Sequence, residues 1–310
     1  MSDPFEDYEV ELLTRIFTDS VRDLAFSPNG KYLAAAIEDK TARVFRTHHW
    51  SQPLVTLRHD YGVYSVAWSP DSQFLATGSI YCPVKIWRVL DCSKVFTLQK
   101  SGYAINLDWS SNGKYLAVGN YSPDDRKTSV EVWNTATWEQ VSANNDYCPW
   151  YVAFSPDSSL LALQYGTEGI EILSVPDFSR EVFLDFSYSE KYGELFHPAW
   201  SSDMSFLAAS CGDGRIRVWR TSDWSVIVTR QLHECWEGGT YETSFSPNGK
   251  FLISGGVGAL KLLSTQNWRI IHIFEKGAIG DYLSLAWSPN SPLLASAVKM
   301  GIPIEIWKVS

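Results

Sequence analysis

The sequence predicts an all-β fold in which seven four-stranded sheets stand as blades of a closed ring. One segment recurs seven times along the 310 residues. Its anchor serines, Ser27, Ser69, Ser110, Ser155, Ser201, Ser246 and Ser288, follow one another at gaps of 42, 41, 45, 46, 45 and 42 residues. That period suits a four-stranded blade and no helical repeat. Sustained helical periodicity is absent from every stretch of helix length, while alternation of strand type recurs in each copy.

The first strand of each copy alternates into an aromatic: Phe26, Trp68, Trp109, Phe154, Trp200, Phe245 and Trp287. A Ser-Pro-Asp/Asn-Gly/Ser turn follows in most copies, with residues that preset φ, bond their own backbone and tolerate left-handed geometry. Second strands read as "KYLAAA" or "QFLATG". Third strands end at Phe45, Trp87, Trp133, Leu173, Trp219, Leu263 and Trp307. A fourth, β-rich strand such as 269–274 completes each copy. The seventh copy stops at Ser310, after its third strand, and its fourth strand must come from elsewhere. The segment 8–20, "YEVELLTRIFTDS", has strand character and is assigned that place. Pairing it with the last blade closes the ring and removes an exposed sheet edge. The predicted domain therefore spans 1–310, with 1–7 a short acidic tail.

Seven copies of V-x-x-V-x-W-S-P-D-G, with third strands ending in Trp, resemble the WD-repeat (β-transducin-like) family over residues 8–310. The resemblance implies the propeller fold and says little about function, because this fold hosts many roles. The family's usual Gly-His and closing Trp-Asp are missing. Arg88, Asn134, Arg220 and Lys308 follow the closing tryptophans. Of the family's buried Asp-His-Ser-Trp chain, Asp39 and Asp213 fit the acid place and His59 a histidine place, but no copy has every member. Aromatic packing is expected to hold the blades instead. A Thr-x-x-Trp turn recurs at Thr47/Trp50, Thr135/Trp138, Thr221/Trp224 and Thr265/Trp268, with Phe178 in the fourth copy. Its regularity assigns it to inter-blade packing on the lower face.

Charge and cysteine content exclude several classes. A net charge of −9 and no basic cluster longer than Arg126-Lys127 argue against direct nucleic-acid or membrane binding. Five scattered cysteines with no Cys-x-x-Cys read as free thiols in a reducing compartment. The first residues carry no apolar signal-peptide core, so a cytosolic or nuclear location is expected. No phosphate loop, nucleophile elbow or His-Glu-x-x-His motif occurs. "GGVG" at 255–258 is a strand turn. His233-Glu234-Cys235 supplies no second ligand pair and reads as a satisfied histidine or loop. No catalytic residue, cofactor or metal is assigned, and the channel is expected to hold no converging acids, His or Cys.

Subtraction locates a candidate binding face. Twelve of the 14 tryptophans occupy repeat slots, leaving Trp150 and Trp236. Both fall where one blade's outer strand connects to the next blade's inner strand, which the family resemblance places on the upper face beside the channel mouth. Tyr61, Tyr103, Tyr192 and Tyr282 gather at the same connections, with Glu234 and Glu237 among the accompanying acids. Surplus length falls on this face too, in 121–129, "YSEKYGE" and "HECWEGG". Function concentrates in loops on rigid scaffolds, and aromatic anchors dominate interaction hot spots. These side chains either bind a partner or plug the channel mouth. The favoured expectation is a protein-interaction platform taking a basic peptide or loop on this face. The alternatives are a constitutive subunit of a larger complex and, from another class, a propeller enzyme. The chain is expected to be monomeric alone or part of a hetero-complex.

Overall fold

The computed structural model describes residues 8–98, 103–122, 127–144, 149–165, 168–185, 197–211, 213–234, 242–256, 259–274, 282–298 and 303–310. All regular structure in these residues is β. Strand β1 (Val10–Ile16) precedes blade 1, which holds β2 (Val21–Phe26), β3 (Tyr32–Ile37), β4 (Thr41–Arg46) and β5 (Val55–Arg58). Blade 2 holds β6 (Val63–Trp68), β7 (Phe74–Ser79), β8 (Cys82–Arg88) and β9 (Ser93–Thr97). Blade 3 holds β10 (Tyr103–Trp109), β11 (Tyr115–Ser122), β12 (Lys127–Asn134) and β13 (Gln140–Asn144). Blade 4 holds β14 (Pro149–Phe154), β15 (Leu160–Tyr165), β16 (Gly169–Ser174) and β17 (Arg180–Asp185). Blade 5 holds β18 (Ala199–Trp200), β19 (Phe206–Ser210), β20 (Arg215–Arg220) and β21 (Val226–Gln231). Blade 6 holds β22 (Glu242–Phe245), β23 (Phe251–Gly256), β24 (Ala259–Ser264) and β25 (Ile270–Phe274). Blade 7 holds β26 (Tyr282–Trp287), β27 (Leu293–Val298) and β28 (Ile304–Val309), with β1 as its outer strand.

The expected seven-bladed, four-stranded architecture is thus what forms. The innermost strands adjoin in sequence, with β2 between β26 and β6, β10 between β6 and β14, and β22 between β18 and β26. Strand direction alternates within a blade, so all first-to-second and third-to-fourth turns share one face, here called lower. The second-to-third turns and the blade-to-blade connections share the upper face. The surplus in the third copy lengthens the upper-face hairpin of β11 and β12 to eight residues per strand.

Each blade buries both faces against its neighbours. Seven apolar clusters of described residues each span two adjacent blades. One joins Leu24, Leu33 and Ile37 of blade 1 to Ala295 and Ile306 of blade 7. Another joins Ile86 and Leu98 of blade 2 to Leu107 and Leu116 of blade 3. The Thr-x-x-Trp turns feed these seams, as expected. Trp138 stacks on Phe96 of the preceding blade at 5.0 Å, and Trp268 meets Phe206 edge-on at 5.2 Å. The threonine of each turn ties it to the first turn of its own blade: Thr47 Oγ1 donates to Gly30 O at 3.0 Å and Thr265 Oγ1 to Gly249 O at 2.6 Å.

The anchor serines are buried because each one closes its own turn. Ser69 Oγ donates to Asp71 Oδ1 at 2.5 Å and accepts the Phe74 amide at 2.9 Å. Asp157 and Asn248 do the same work in their copies and have no acid or base role.

Beside the aromatic packing, truncated versions of the family's polar chain are present. In blade 2, Trp87 Nε1 donates to Thr77 Oγ1 at 2.8 Å, and Thr77 Oγ1 meets His59 Nε2 at 3.1 Å. In blade 6, His233 Nε2 meets Ser254 Oγ at 3.0 Å, and in blade 7 Trp307 Nε1 donates to Ser296 Oγ at 3.1 Å. Asp39 and Asp213 do not terminate such chains. They accept amides two residues on, at Thr41 and Arg215, and fix their own turns. His233 is the satisfied histidine, and Gly256 makes room for it: a Cβ there would lie 2.3 Å from the ring.

The ring closes as expected but with a shorter strand than 8–20. β1 pairs antiparallel with β28 from Val10↔Val309 to Ile16↔Ile304, with a bulge between Leu12 and Thr14. Glu9 and Ser310 exchange backbone bonds of 2.8 and 3.0 Å at its outer end. Arg15 Nε donates to Oε1 of the fully buried Glu305 at 2.9 Å. Removing Arg15 would strand a buried carboxylate, which costs more than the ion pair itself contributes. Arg15→Ala is therefore expected to lose about 2 kcal/mol in urea unfolding, while Arg15→Leu with Glu305→Leu loses less. Equal stability of Arg15→Ala and wild type would show that this pair does not hold the closure.

Candidate functional site

Two polar features stand out, one in the channel and one on the upper rim. The channel feature occupies a single repeat position, three residues before the aromatic that ends each first strand. The seven occupants are Asp23, Ser65, Asn106, Tyr151, His197, Glu242 and Ser284. The inner edge of each blade has no fifth strand to pair its amides, and a buried unpaired amide is costly. The preceding blade supplies the acceptor. Ser284 Oγ accepts the Leu24 amide at 2.9 Å, Asp23 Oδ2 the Val66 amide at 2.9 Å, Ser65 Oγ the Leu107 amide at 3.0 Å and Asn106 Oδ1 the Val152 amide at 2.8 Å. Asp108 adds a second such bond, to the Phe154 amide at 2.6 Å. His197 closes the far side, with Nε2 2.9 Å from Asn106 Nδ2 and its ring against Tyr151.

The expectation of a channel without converging acids or histidines is therefore corrected. Ser284 Oγ donates to Asp23 Oδ1 at 3.3 Å, and Glu242 is buried at the same repeat position of blade 6. Burial raises the pKa of Asp23, and raises that of Glu242 well above the ordinary value, with Asp23 adding to the effect. Burial likewise lifts Asp108 to about 7. Desolvation holds His197 and His59 at about 4 and His233 at about 3. Asp23 and Asp108 are bound to backbone amides of the ring, which makes them joints of the scaffold. Among the described residues, no three His, Cys, Asp or Glu side chains form a group able to hold a metal.

The rim feature is a row of tyrosines across blades 2 and 3. Tyr61 lies on the connection into blade 2, Tyr81 in its second-to-third turn, Tyr103 at the start of β10 and Tyr121 near the end of β11. Ring centroids follow at 5.7, 4.6 and 5.6 Å, the first two contacts edge-on and the last stacked. Tyr61 is 44% exposed and Tyr81 58%. A hydrogen bond with Tyr81 is the main cause that lifts the Tyr103 hydroxyl to about 12. Tyr81 has φ 54°, in a two-residue turn between the paired Ser79 and Cys82. A left-handed non-glycine residue costs about 1–2 kcal/mol, and such strain concentrates at functional positions. Asp60 stands beside the row, its side chain 80% exposed, with Lys85 Nζ 3.9 Å from its carboxylate.

The structure places the expected site residues unevenly. Tyr61 and Tyr103 are brought together on the upper rim, joined through Tyr81. Glu234 is exposed on the same face, on the connection out of blade 5. Backbone placement alone is described for Trp150 and Tyr282, in β14 and β26. Tyr192, Trp236 and Glu237 lie outside the described residues. Sequence reasoning missed Tyr81 and the channel girdle. A bulky residue in a two-residue turn signalled the first, and a polar column inside apolar strands signalled the second.

Comparison with known proteins is consistent with this architecture. The family described as "WD domain, G-beta repeat" matches residues 12–46 and 195–220, and "Eukaryotic translation initiation factor eIF2A" matches 39–164. THO complex subunit 3 of Arabidopsis thaliana is 25% identical over 283 residues, covering 89% of this chain and 86% of that protein. The WD repeat-containing protein 26 homolog of the same plant is 25% identical, covering 94% of this chain and 49% of its own length. Protein HIR1 of Kluyveromyces lactis is 25% identical, covering 67% of this chain and 29% of its own. The chain thus spans most of the first relative but half or less of the other two.

The buried ionisable groups have a measurable consequence. The histidines have lowered pKa values, so their contribution is fully present above about pH 6.5 and is lost as pH falls towards 4. Asp23, Asp108 and Glu242 have raised values, so theirs is fully present below about pH 4 and is lost as pH rises through the folded pKa. Between these limits the two trends offset each other, and above pH 6.5 only the carboxyls act. The melting temperature is expected to fall from pH 6.5 to 9, less steeply in Asp108→Asn or Glu242→Gln. A melting temperature that stays level or rises over that interval would refute these ionisation states.

Proposed function

We propose that the chain, which belongs to the WD-repeat β-propellers, works as a non-catalytic platform for protein–protein interaction. Its upper face takes a peptide or loop carrying Lys or Arg. The observation that carries this reading is the partly exposed tyrosine row on the rim of blades 2 and 3, with Asp60 beside it. Aromatic faces attract cations, and a neighbouring carboxylate adds Coulomb attraction and speeds encounter. Trp150, Tyr192, Trp236, Tyr282 and Glu237 extend the proposed face around the rim with Tyr61, Tyr103 and Glu234. Asp23 and Asp108 in the buried girdle are occupied with backbone amides, which supports a structural use of these carboxyls. A cytosolic or nuclear place of action goes with the free thiols at Cys82, Cys92 and Cys211.

A second reading is a constitutive subunit of a larger assembly. It draws support from the printed name of THO complex subunit 3 and from exposed apolar side chains away from the upper rim. Leu90, in a lower-face turn, is 93% exposed, and Val226, at the lower-face start of the outer strand β21, is 55%. Apolar groups of this kind mark contact surfaces when they gather in patches.

Rim and perimeter variants separate the two. Under the platform reading, Tyr61→Ala weakens partner capture by about 2 kcal/mol with little change in melting temperature. Glu234→Lys slows association and alters its salt dependence. Capture lost in Leu90→Ser and Val226→Ser but intact in the rim variants would favour the assembly reading instead.

A further inference from the structure

The tyrosine row supports a more specific assignment, which rests on the platform function proposed above. The rim of blade 1 already holds an arginine in a defined setting. The Arg22 guanidinium lies 4.8 Å from the centre of the Tyr64 ring, and its Nε donates to Glu38 Oε1 at 2.6 Å. An aromatic face and a carboxylate thus fix a guanidinium on this face of the ring. One step further round, the same two components recur. The rings of Tyr61 and Tyr81 meet at 61°, presenting two differently inclined surfaces. The Asp60 carboxylate lies within 3.9 Å of Cys82 Sγ, next in sequence to Tyr81, and is itself next in sequence to Tyr61. Lys85 approaches Asp60 from the interior, its own side chain only 15% exposed, so the outer side of the carboxylate faces solvent.

We infer that Tyr61, Tyr81 and Asp60 form a receptor for an arginine side chain of a protein partner. The guanidinium plane lies on one tyrosine ring and donates to Asp60, as Arg22 does between Tyr64 and Glu38. Arginine fits better than lysine because its planar, weakly hydrated head stacks on a ring and still directs several donors at one carboxylate. Tyr81 supplies the second surface, and its left-handed turn holds the ring up on the rim rather than folding it into the blade.

The test uses the full chain and a fluorescent peptide of four arginines separated by glycine pairs, with lysine and citrulline counterparts. The arginine peptide is expected to bind at least about ten-fold more tightly than the lysine peptide, and the citrulline peptide not measurably. Asp60→Asn and Tyr81→Gly are each expected to weaken arginine binding about five-fold or more, Tyr81→Gly without loss of melting temperature because glycine accepts the positive φ. Should Tyr81→Gly prove unstable, Tyr81→Asn serves, since asparagine also tolerates that geometry. Equal binding of the arginine and lysine peptides, or unchanged binding in the Tyr81 and Asp60 variants, would overturn the arginine assignment. That failure differs from failure of the platform reading, in which partner capture would be indifferent to Tyr61→Ala and Glu234→Lys as well.

Discussion

The ring depends on one repeated bond: at four of the seven blade junctions a side chain on one inner strand accepts a backbone amide from the next blade. Apolar packing between blades is strong but non-directional, and by itself would tolerate sliding of one sheet over another. The bonds from Ser284 to Leu24, Asp23 to Val66, Ser65 to Leu107 and Asn106 to Val152 set the height of each blade relative to its neighbour. They also satisfy the inner sheet edges, which would otherwise leave donors unpaired inside the protein. The acceptors vary in chemistry because the position needs only an oxygen at the right height. Burial raises the pKa of Asp23 and Glu242 there, and the bonds that Asp23 accepts from Ser65, Val66 and Ser284 offset part of that cost.

Much of the fold was legible in the sequence because it is periodic. The anchor serines, the aromatics ending the first strands and the closing tryptophans each report the same local geometry in every blade. The missing fourth strand of the last copy and the strand character of 8–20 together located the ring closure. Less legible were features that depend on two blades at once. Asp108 occupies the repeat position of Ala67, and His197 that of Ser65. Their roles appear only when the next blade's amides are brought against them. The truncated polar chains through His59 and His233 were legible only in part, His59 by its histidine place and His233 as a satisfied histidine. Their partners Thr77 and Ser254 lie on neighbouring strands and carry no sequence mark of their own.

The candidate site was partly legible. Counting tryptophans against repeat slots directed attention to the upper-face connections, where Tyr61 and Tyr103 indeed lie together. Tyr81 escaped because it sits in a second-to-third turn, a place the repeat leaves unconstrained. Its significance comes from its φ and its two ring contacts, neither of which composition reveals. The two faces of the ring differ in kind. Lower-face turns are stitched by Thr47, Thr265 and the recurrent tryptophans, so they have little freedom to vary. Upper-face turns are tied to the neighbouring connections by bonds such as Ser79 Oγ to Gly62 O, without a recurrent tryptophan, and surplus length and exposed aromatics collect there.

The closing strand has a consequence for the timing of folding. Arg15 and Glu305 are 290 positions apart, and β1 has no sheet to join until β28 exists. During synthesis β1 must wait for β28, while blades 1 to 6 can form behind it. Long-range pairings of this kind are slow steps, and a waiting strand is open to pairing with other chains. Completion of the ring therefore reports that β28 has been made. A product cut short before residue 304 would keep both a loose leading strand and an unfinished final sheet, the marks by which chaperones and proteases sort immature proteins.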